Sequence, residues 1–423
     1  MLNRGFAGSY SFRTARAHRP GELESAVLRA LVFAACVAAL ATGCSGSSEQ
    51  AAKPPAAPPT QVDRAPQTRV PKGTVAVTSL QSAPAAERLP AFRAVRIANA
   101  NLPAGLAAAP DGRILYSEFW TGRVRIIRAN GTVDPKPWAD VNQIYGIRWT
   151  RFYHGGLSGI AFDPDHDRNR FVYVVTQTPS KRNGQPDMTL ILRFKEVNGR
   201  GTAPRVLYRI RAKIFDNVYS LVFGPDGMLY IPSGFLGRSR PKGEDPLTDR
   251  RGKILRVNRD AEPPGDNPFG ARAPRVWAAG FKNAFDLAFF PGTNLAVAGE
   301  SGPEAHDEIN LVMPGHDYGY PDHQGTTTAR GITSPLYDYG SDRTSPVGII
   351  HYTGNRHPAL RGRFLMCENH GRGLIVLRIN RSNPGRLLNF TPIHPDCTVD
   401  IVQTLDGSVI FSSSTAIYRL AGS

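Results

Sequence analysis

The segment Ser220–Tyr230, with the sequence SLVFGPDGMLY, decides the fold. Two apolar runs flank Gly224-Pro225-Asp226-Gly227. The proline presets the backbone angle φ of a turn, and the Asp-Gly pair favours a tight turn between antiparallel strands. The segment therefore predicts a strand, a turn and a second strand.

The same pattern recurs six times along the chain, with a degenerate fifth copy. The copies lie at residues 105–116, 159–174, 220–230, 286–297, 348–366 and 401–411. The proline or its equivalent stands at positions 110, 164, 225, 291, 358 and 405, in steps of 54, 61, 66, 67 and 47 residues. A period of about 40–70 residues with several strands per unit is typical of a β-propeller. We therefore predict an all-β, six-bladed β-propeller; a β-sandwich explains this spacing less well.

The N-terminal region predicts export. Residues 1–44 read as a signal peptide, because a basic stretch precedes the apolar run Ala30–Leu40 and the small residues Ala41-Thr42-Gly43. Cys44 then follows as in a bacterial lipobox, although Ala41 stands where Leu is usual. We expect a lipid anchor and membrane contact at Cys44, hence a cell-envelope or periplasmic lipoprotein; the alternative is ordinary signal cleavage. Residues 45–90 predict a flexible linker, and 91–423 the propeller.

The charge of the chain bears on its partners. The formal net charge is +16, but the basic residues are scattered and form no stripe interleaved with aromatic residues. We therefore expect no nucleic-acid partner, and the excess suits a protein held near anionic lipids and envelope polymers. After Cys44 only Cys367 and Cys397 remain, which either pair in an oxidising compartment or stay as buried thiols.

Several motifs carry a family resemblance. They are His154–Pro164 (HGGLSGIAFDP), Gly252–Asn258, Asp266–Phe269, Trp277–Asn283, Gly302–Leu311 (GPEAHDEINL) and Asp317–Pro321. From about Leu102 to Leu420 the chain resembles the glucose/sorbosone dehydrogenase family, the soluble PQQ-dependent aldose sugar dehydrogenases. That family folds as a six-bladed propeller, which agrees with the repeat.

The resemblance implies an oxidoreductase that acts on a small sugar or related alcohol. In the family, a His takes the proton of the C1 hydroxyl, hydride passes to PQQ beside a polarising Arg, and an electron acceptor completes the reaction. Asp216 stands at the position of that base, and Lys282 at that of the Arg. Asn283 matches a cofactor-binding position, and His154 replaces a Gln that contacts PQQ.

The resemblance also implies calcium. Gly302 and Pro303 match positions whose carbonyl groups bind the cofactor-site calcium, and Asp307, Glu308 and Tyr318 match positions around a structural calcium. Hard oxygen ligands in one loop suit this cation. The alternative for Asp307 and Glu308 is that they cap turns and form salt bridges.

Other positions depart from the family pattern. Two arginines that hold PQQ carboxylates are replaced at Cys397 and Val399. Three functions therefore stay open. The sequence favours an exported PQQ- and calcium-dependent dehydrogenase with an altered site. The alternatives are a non-catalytic, calcium-stabilised propeller that binds an envelope glycan or protein, and a calcium-dependent propeller hydrolase such as a lactonase.

Overall fold

The computed structural model describes residues 75–148, 155–180, 185–212, 218–235, 237 and 245–422. Within these residues the chain folds into six four-stranded sheets, each a blade of antiparallel neighbours. The six-bladed propeller predicted from the repeat is confirmed. Two short helices, α1 at Val141–Tyr145 and α2 at His166–Asn169, accompany the strands. No helix in this described part of the chain is long and apolar enough to cross a bilayer.

The strands follow one another blade by blade. Blades 1 to 3 contain β2–β5 (Pro103–Ala108, Ile114–Glu118, Arg123–Ile127, Ala139–Asp140), β6–β9 (Leu157–Phe162, Phe171–Pro179, Pro186–Val197, Arg200–Arg211) and β10–β13 (Val222–Phe223, Leu229–Ser233, Lys253–Val257, Val276–Ala279). Blades 4 to 6 contain β14–β17 (Ala284–Phe289, Ala296–Glu300, Glu308–Val312, Tyr337–Asp338), β18–β21 (Pro346–His351, Phe364–Glu368, Leu374–Ile379, Leu387–His394) and β22–β24 with β1 (Ile401–Gln403, Val409–Ser412, Ala416–Gly422, Phe92–Asn99).

The repeated turn joins the first two strands of a blade. At the third blade, the N–H of Gly227 donates to the carbonyl of Gly224 at 2.9 Å, and Asp226 Oδ1 accepts from the N–H of Met228 at 3.1 Å. Gly227 has φ +73°, a conformation that strains residues with a side chain. Two blades depart from this turn, because α2 separates β6 from β7 and a 3₁₀ turn at Pro358–Leu360 separates β18 from β19.

The core lies between the blades. Six buried apolar clusters each join two adjacent blades, so that every sheet is covered on both faces. The last cluster packs Ile410 and Ile417 of blade 6 against Leu106 and Tyr116 of blade 1. In blade 6, β1 pairs with β24, from Phe92 opposite Gly422 to Asn99 opposite Ala416. The N-terminal strand therefore closes the ring against the C-terminal one.

Residues 75–90, which we assigned to the linker, lie against the propeller. Leu80 donates to the carbonyl of Leu336 and accepts from the N–H of Asp338, at 3.1 and 2.9 Å. Val75, Val77 and Leu80 pack on the apolar cluster between blades 4 and 5. Glu87 forms a bidentate ion pair with Arg363 at 2.7 and 2.8 Å. Residues 75–90 thus contact the propeller that we predicted to begin at residue 91.

Cys367 and Cys397 form a disulfide. Their Cα atoms are 5.0 Å apart, and both side chains are fully buried in the cluster between blades 5 and 6. Cys367 lies on β19, and Cys397 lies on the connection that enters β22. Of the two alternatives left open by the sequence, the structure shows the paired one.

Candidate active site

One end of the ring gathers most of the predicted site residues that the structure describes. In an antiparallel blade, the second strand ends where the first strand of the next blade begins. The loops at residues 281–283, 301–307, 343–345, 369–370 and 396–399 therefore lie at the same end, and we call them the mouth loops. Backbone hydrogen bonds connect them. Ser301 donates to the carbonyl of Asn283 at 3.1 Å, and Asn369 and His370 donate to Ser345 and Thr344 at 2.9 Å each.

Lys282 is the buried cation of the mouth. Its Nζ donates to the carbonyl of Gly302 at 2.9 Å, and its N–H donates to Glu300 Oε1 at 2.5 Å. Only 8% of the residue is exposed. Burial lowers the pKa of Lys282, although the charges of Glu300 and Asp307 act in the opposite direction. The structure thus brings together Lys282 and Gly302, which the sequence assigned to separate roles.

Asp307 joins two of the mouth loops through three backbone N–H groups. Its Oδ1 accepts from the N–H of Gly302, and its Oδ2 accepts from the N–H groups of Thr344 and Ser345, each at 2.7 Å. The residue is buried. A carboxylate with three backbone donors is already satisfied. These are the contacts expected of the turn-capping role that the sequence left as the alternative to calcium binding.

Glu300 and Glu308 form a buried carboxyl pair beneath Lys282. They face each other across β15 and β16, and Asn310 Nδ2 donates to both carboxyl groups, at 3.1 Å to Glu300 and 3.0 Å to Glu308. Burial raises the pKa of Glu300 well above its usual range, with a further contribution from Glu308. Burial also raises the pKa of Glu308 to about 7. Asn310 Oδ1 is buried and has no hydrogen-bond partner in the described part of the chain.

Tyr318 and Pro303 complete the predicted calcium set. The Tyr318 hydroxyl donates to the carbonyl of Leu311 at 2.5 Å and accepts from the N–H of Met313 at 3.0 Å. Its ring stacks on Phe281, with 4.6 Å between the centroids. The side chain is thus occupied by packing, which leaves its carbonyl as the group that a cation would use. Pro303 is half-buried in the loop after β15.

The remaining predicted residues divide into two groups. His154 and Asp216 lie outside the described residues. Cys397 and Val399 lie where the resemblance expects arginines, and Val399 donates its N–H to the carbonyl of Ser412 at 3.1 Å. Within the described ranges, no group of three or more His, Cys, Asp or Glu side chains is arranged to hold a metal.

Sequence reasoning missed two residues of the mouth. Glu300 ends the apolar strand β15 directly before Ser301-Gly302, and an acidic residue in that place was a usable signal. Arg343 lies on an exposed loop before β18, and nothing in the local pattern distinguishes it from other surface arginines.

A central channel runs through the ring. Its cavity of about 590 Å³ is lined by the first strands of all six blades. Two carboxyl groups that line it reach across blade boundaries. Asp400 Oδ2 accepts from the N–H of Leu106 at 2.6 Å, and Asp286 Oδ2 accepts from the N–H of Ile349 at 3.0 Å. Burial raises the pKa of Asp286 to about 6, and burial followed by the charge of Asp286 raises that of Asp400 well above its usual range.

Known proteins resemble this chain in sequence and in fold. An uncharacterized protein of Synechocystis sp. is 30% identical over 337 residues, which cover 73% of this chain and 80% of that protein. Quinoprotein glucose dehydrogenase B of Acinetobacter calcoaceticus is 28% identical over 276 residues, 59% of this chain and 56% of that enzyme. A solved Thermus thermophilus oxidoreductase, described as a glucose dehydrogenase, has a TM-score of 0.66 and 26% identity, covering 78% of this chain and 100% of its own.

A shorter similarity reaches a different kind of protein. Human Hedgehog-interacting protein is 27% identical over 172 residues, which make up 38% of this chain and 25% of that protein. The family model described as Glucose / Sorbosone dehydrogenase matches residues 100–417, which contain every strand from β2 to β23 and leave out β1 and most of β24. The chain therefore belongs to the glucose/sorbosone dehydrogenase family.

Proposed function

We propose that the protein is an exported oxidoreductase that oxidises a hydroxyl group of a sugar or related alcohol, with PQQ as its cofactor. The observation that carries this proposal is the position of Lys282 and Asn283 in the mouth, beside Gly302, within a family fold. Two buried polar atoms there, Asn283 Oδ1 and Thr344 Oγ1, have no partner among the described residues. A polar, anionic cofactor fits such a donor and acceptor set.

The chain's own residues would divide the work as follows. Asn283 orients the bound cofactor, and the ammonium of Lys282 stabilises negative charge that develops at the mouth. When bound, PQQ supplies the acceptor for the hydride of the sugar. Asp216, outside the described residues, is the proposed base that takes the hydroxyl proton.

Of the two predicted calcium sites, the site at Glu308 fits the cation better than the site at Gly302 and Pro303. The Gly302 carbonyl already accepts from the Lys282 ammonium, and a cation bound beside Pro303 would face that charge. This geometry does not fit a calcium at Gly302. Near Glu308, whose Oε1 accepts from the N–H of Gly325, the unpartnered Asn310 Oδ1 and the adjacent carboxyl group of Glu300 are oxygen groups of the kind that a hard cation uses. We therefore propose structural calcium at Glu308.

The proposed location is the cell envelope, with a lipid anchor at Cys44. Residues 1–44 lie outside the described residues, so the support comes from their sequence and from the disulfide between Cys367 and Cys397. Disulfides persist mainly in oxidising compartments. A Cys44→Ala variant should move from the membrane fraction to the soluble fraction; retention in the membrane fraction would contradict the anchor.

A direct assay tests the enzyme. The full chain is incubated with PQQ and calcium, and dye reduction is measured over a panel of aldoses and related alcohols. The expected result is sugar-dependent dye reduction that Asp216→Asn lowers by about 100-fold or more, as for loss of a general base. Absence of both activity and quinone binding would overturn the proposal.

A second candidate is a binding propeller without catalysis. The similarity to Hedgehog-interacting protein favours it, as does the replacement of two expected cofactor-binding arginines at Cys397 and Val399. It predicts retention of an envelope glycan or protein in pull-down without any quinone-dependent thermal shift. A PQQ-dependent shift that saturates at micromolar concentration would exclude it.

A further inference from the structure

The mouth contains a second cation, Arg343, whose charge acts on Lys282 and, in addition to burial, contributes to lowering the pKa of that lysine. Arg343 is exposed on the loop between β17 and β18, and none of the described residues forms an ion pair or ring contact with its guanidinium group. Arginine side chains near carboxylates usually form such pairs, because the planar guanidinium matches a carboxylate with two parallel hydrogen bonds.

The backbone places Arg343 at the mouth. The next two residues, Thr344 and Ser345, donate their N–H groups to Asp307 Oδ2, while Gly302 donates to Asp307 Oδ1. The Ser345 hydroxyl also contacts that of Ser301 at 3.2 Å. Ser345, two residues after Arg343, has φ +47°, a backbone conformation that is rare for residues with a side chain. These contacts hold the loop beside Gly302.

The neighbouring charges leave Arg343 available for a ligand. Lys282 is buried and already uses one of its three ammonium donors on the Gly302 carbonyl. Asp307 is satisfied by three backbone donors. Asp342 lies 3.6 Å from Arg372, which also approaches Glu368 at 3.7 Å. Arg343 therefore remains the exposed positive group of this loop.

A donor without a partner accompanies it. The hydroxyl of Thr344 is buried, with the residue 5% exposed, and has no hydrogen-bond partner in the described residues. A guanidinium group and a hydroxyl group on adjacent residues supply the donors that a carboxylate accepts.

We propose that Arg343, with Thr344, is a carboxylate-binding subsite at the mouth. The carboxylate comes either from the quinone cofactor or from an acidic sugar substrate, and the cofactor source rests on the proposed function. In both cases Arg343 binds a ligand and takes no part in proton transfer.

The test compares four forms of the full chain: wild type, Arg343→Ala, Arg343→Lys and Arg378→Ala. Arg378 is a matched control, since it is exposed on β20 and also has no ion pair within the described residues. Isothermal titration calorimetry measures binding of PQQ, of glucuronate and of neutral glucose. We expect Arg343→Ala to weaken at least one carboxylate ligand by about tenfold, Arg343→Lys to weaken it less, and Arg378→Ala and glucose to show no change.

The outcomes separate the sources. Loss of PQQ affinity alone assigns the cofactor carboxylate, and loss of glucuronate affinity alone assigns an acidic substrate. Equal affinities in all variants, or a wild type that binds neither carboxylate, overturns the subsite. Dye reduction is measured in parallel: normal activity with unchanged affinities overturns this inference and leaves the oxidoreductase standing. Arg343-dependent binding without any sugar oxidation supports the carboxylate subsite and overturns the proposed oxidoreductase.

Discussion

For the proposed oxidation, we expect Lys282 to limit kcat/KM on the alkaline side. Its positive charge depends on protonation, and burial lowers its pKa below that of ordinary lysine. Charge at the mouth should therefore be lost earlier as pH rises than in a variant with arginine, which stays protonated. We expect Lys282→Arg to move the alkaline fall of kcat/KM to higher pH, and Lys282→Met to lower kcat/KM across the whole range. Superimposable alkaline limbs for wild type and Lys282→Arg would contradict this role.

Asp286 lowers the free energy of unfolding when its buried carboxyl group is ionised. Its pKa of about 6 in the folded state exceeds the unfolded value of about 3.9, so the folded state binds more protons between these values. The free energy of unfolding should then decrease as pH rises through this window. Asp286→Asn removes one charge of the channel pair, and we expect a gain of the order of 2 kcal/mol at pH 7 and little at pH 4.

Urea unfolding at several pH values measures this difference. The exposed Asp167→Asn variant serves as a control and should follow the wild type. A stability difference between wild type and Asp286→Asn that does not change with pH would show that the channel carboxyl group is not the cause.

At the scale of elements, the mouth loops depend on one carboxylate. Asp307→Ala leaves three backbone N–H groups, those of Gly302, Thr344 and Ser345, without an acceptor. Each unsatisfied buried donor costs about 1–3 kcal/mol, so we expect a loss of about 3 kcal/mol or more in the free energy of unfolding. Asp307→Asn retains one acceptor and should lose less. The same loss is expected with calcium and with a chelator; a loss seen with calcium alone would instead make Asp307 a metal ligand.

The elements also show what the sequence can predict. The first two strands of each blade follow from a local turn, as at Gly224–Gly227, and the repeat therefore located them. The outer strands escaped prediction, since β5 and β17 have only two residues each and their pairing depends on distant partners. The docking of Leu80 on Leu336 is likewise a contact across the fold that no local pattern encodes.

The same distinction applies to the candidate site. The motif placed Lys282, Asn283 and Gly302 in one region because connections between blades gather at one end of the ring. The contact from Lys282 Nζ to the Gly302 carbonyl and the three donors on Asp307 arise from packing between loops. Arg343 carries no signal of its own, because its importance comes only from its neighbours in space.

At the scale of the whole molecule, the disulfide links blade 5 to the connection that enters blade 6, the blade in which β1 closes the ring. Cys367 and Cys397 are separated by 30 residues along the chain. Cross-linking a loop of this length restricts the unfolded state by about 3 kcal/mol. We expect the Cys367→Ser/Cys397→Ser double variant to lose about this amount in urea unfolding, and reductant to have no further effect on it. Equal stability of the variant and the oxidised wild type would contradict this contribution.

The closing strand has a mechanical consequence. Because β1 pairs with β24, a pull on the chain that precedes the propeller loads this pairing directly. Two contacts must break before the force reaches Phe92. They are the Glu87–Arg363 ion pair and the hydrogen bond from Asn389 to the carbonyl of Ala85. During synthesis the same topology delays the pairing of β1, because β1 is the first of the strands to emerge from the ribosome and its partner β24 is the last. The ring can therefore close only after β24 has been synthesised.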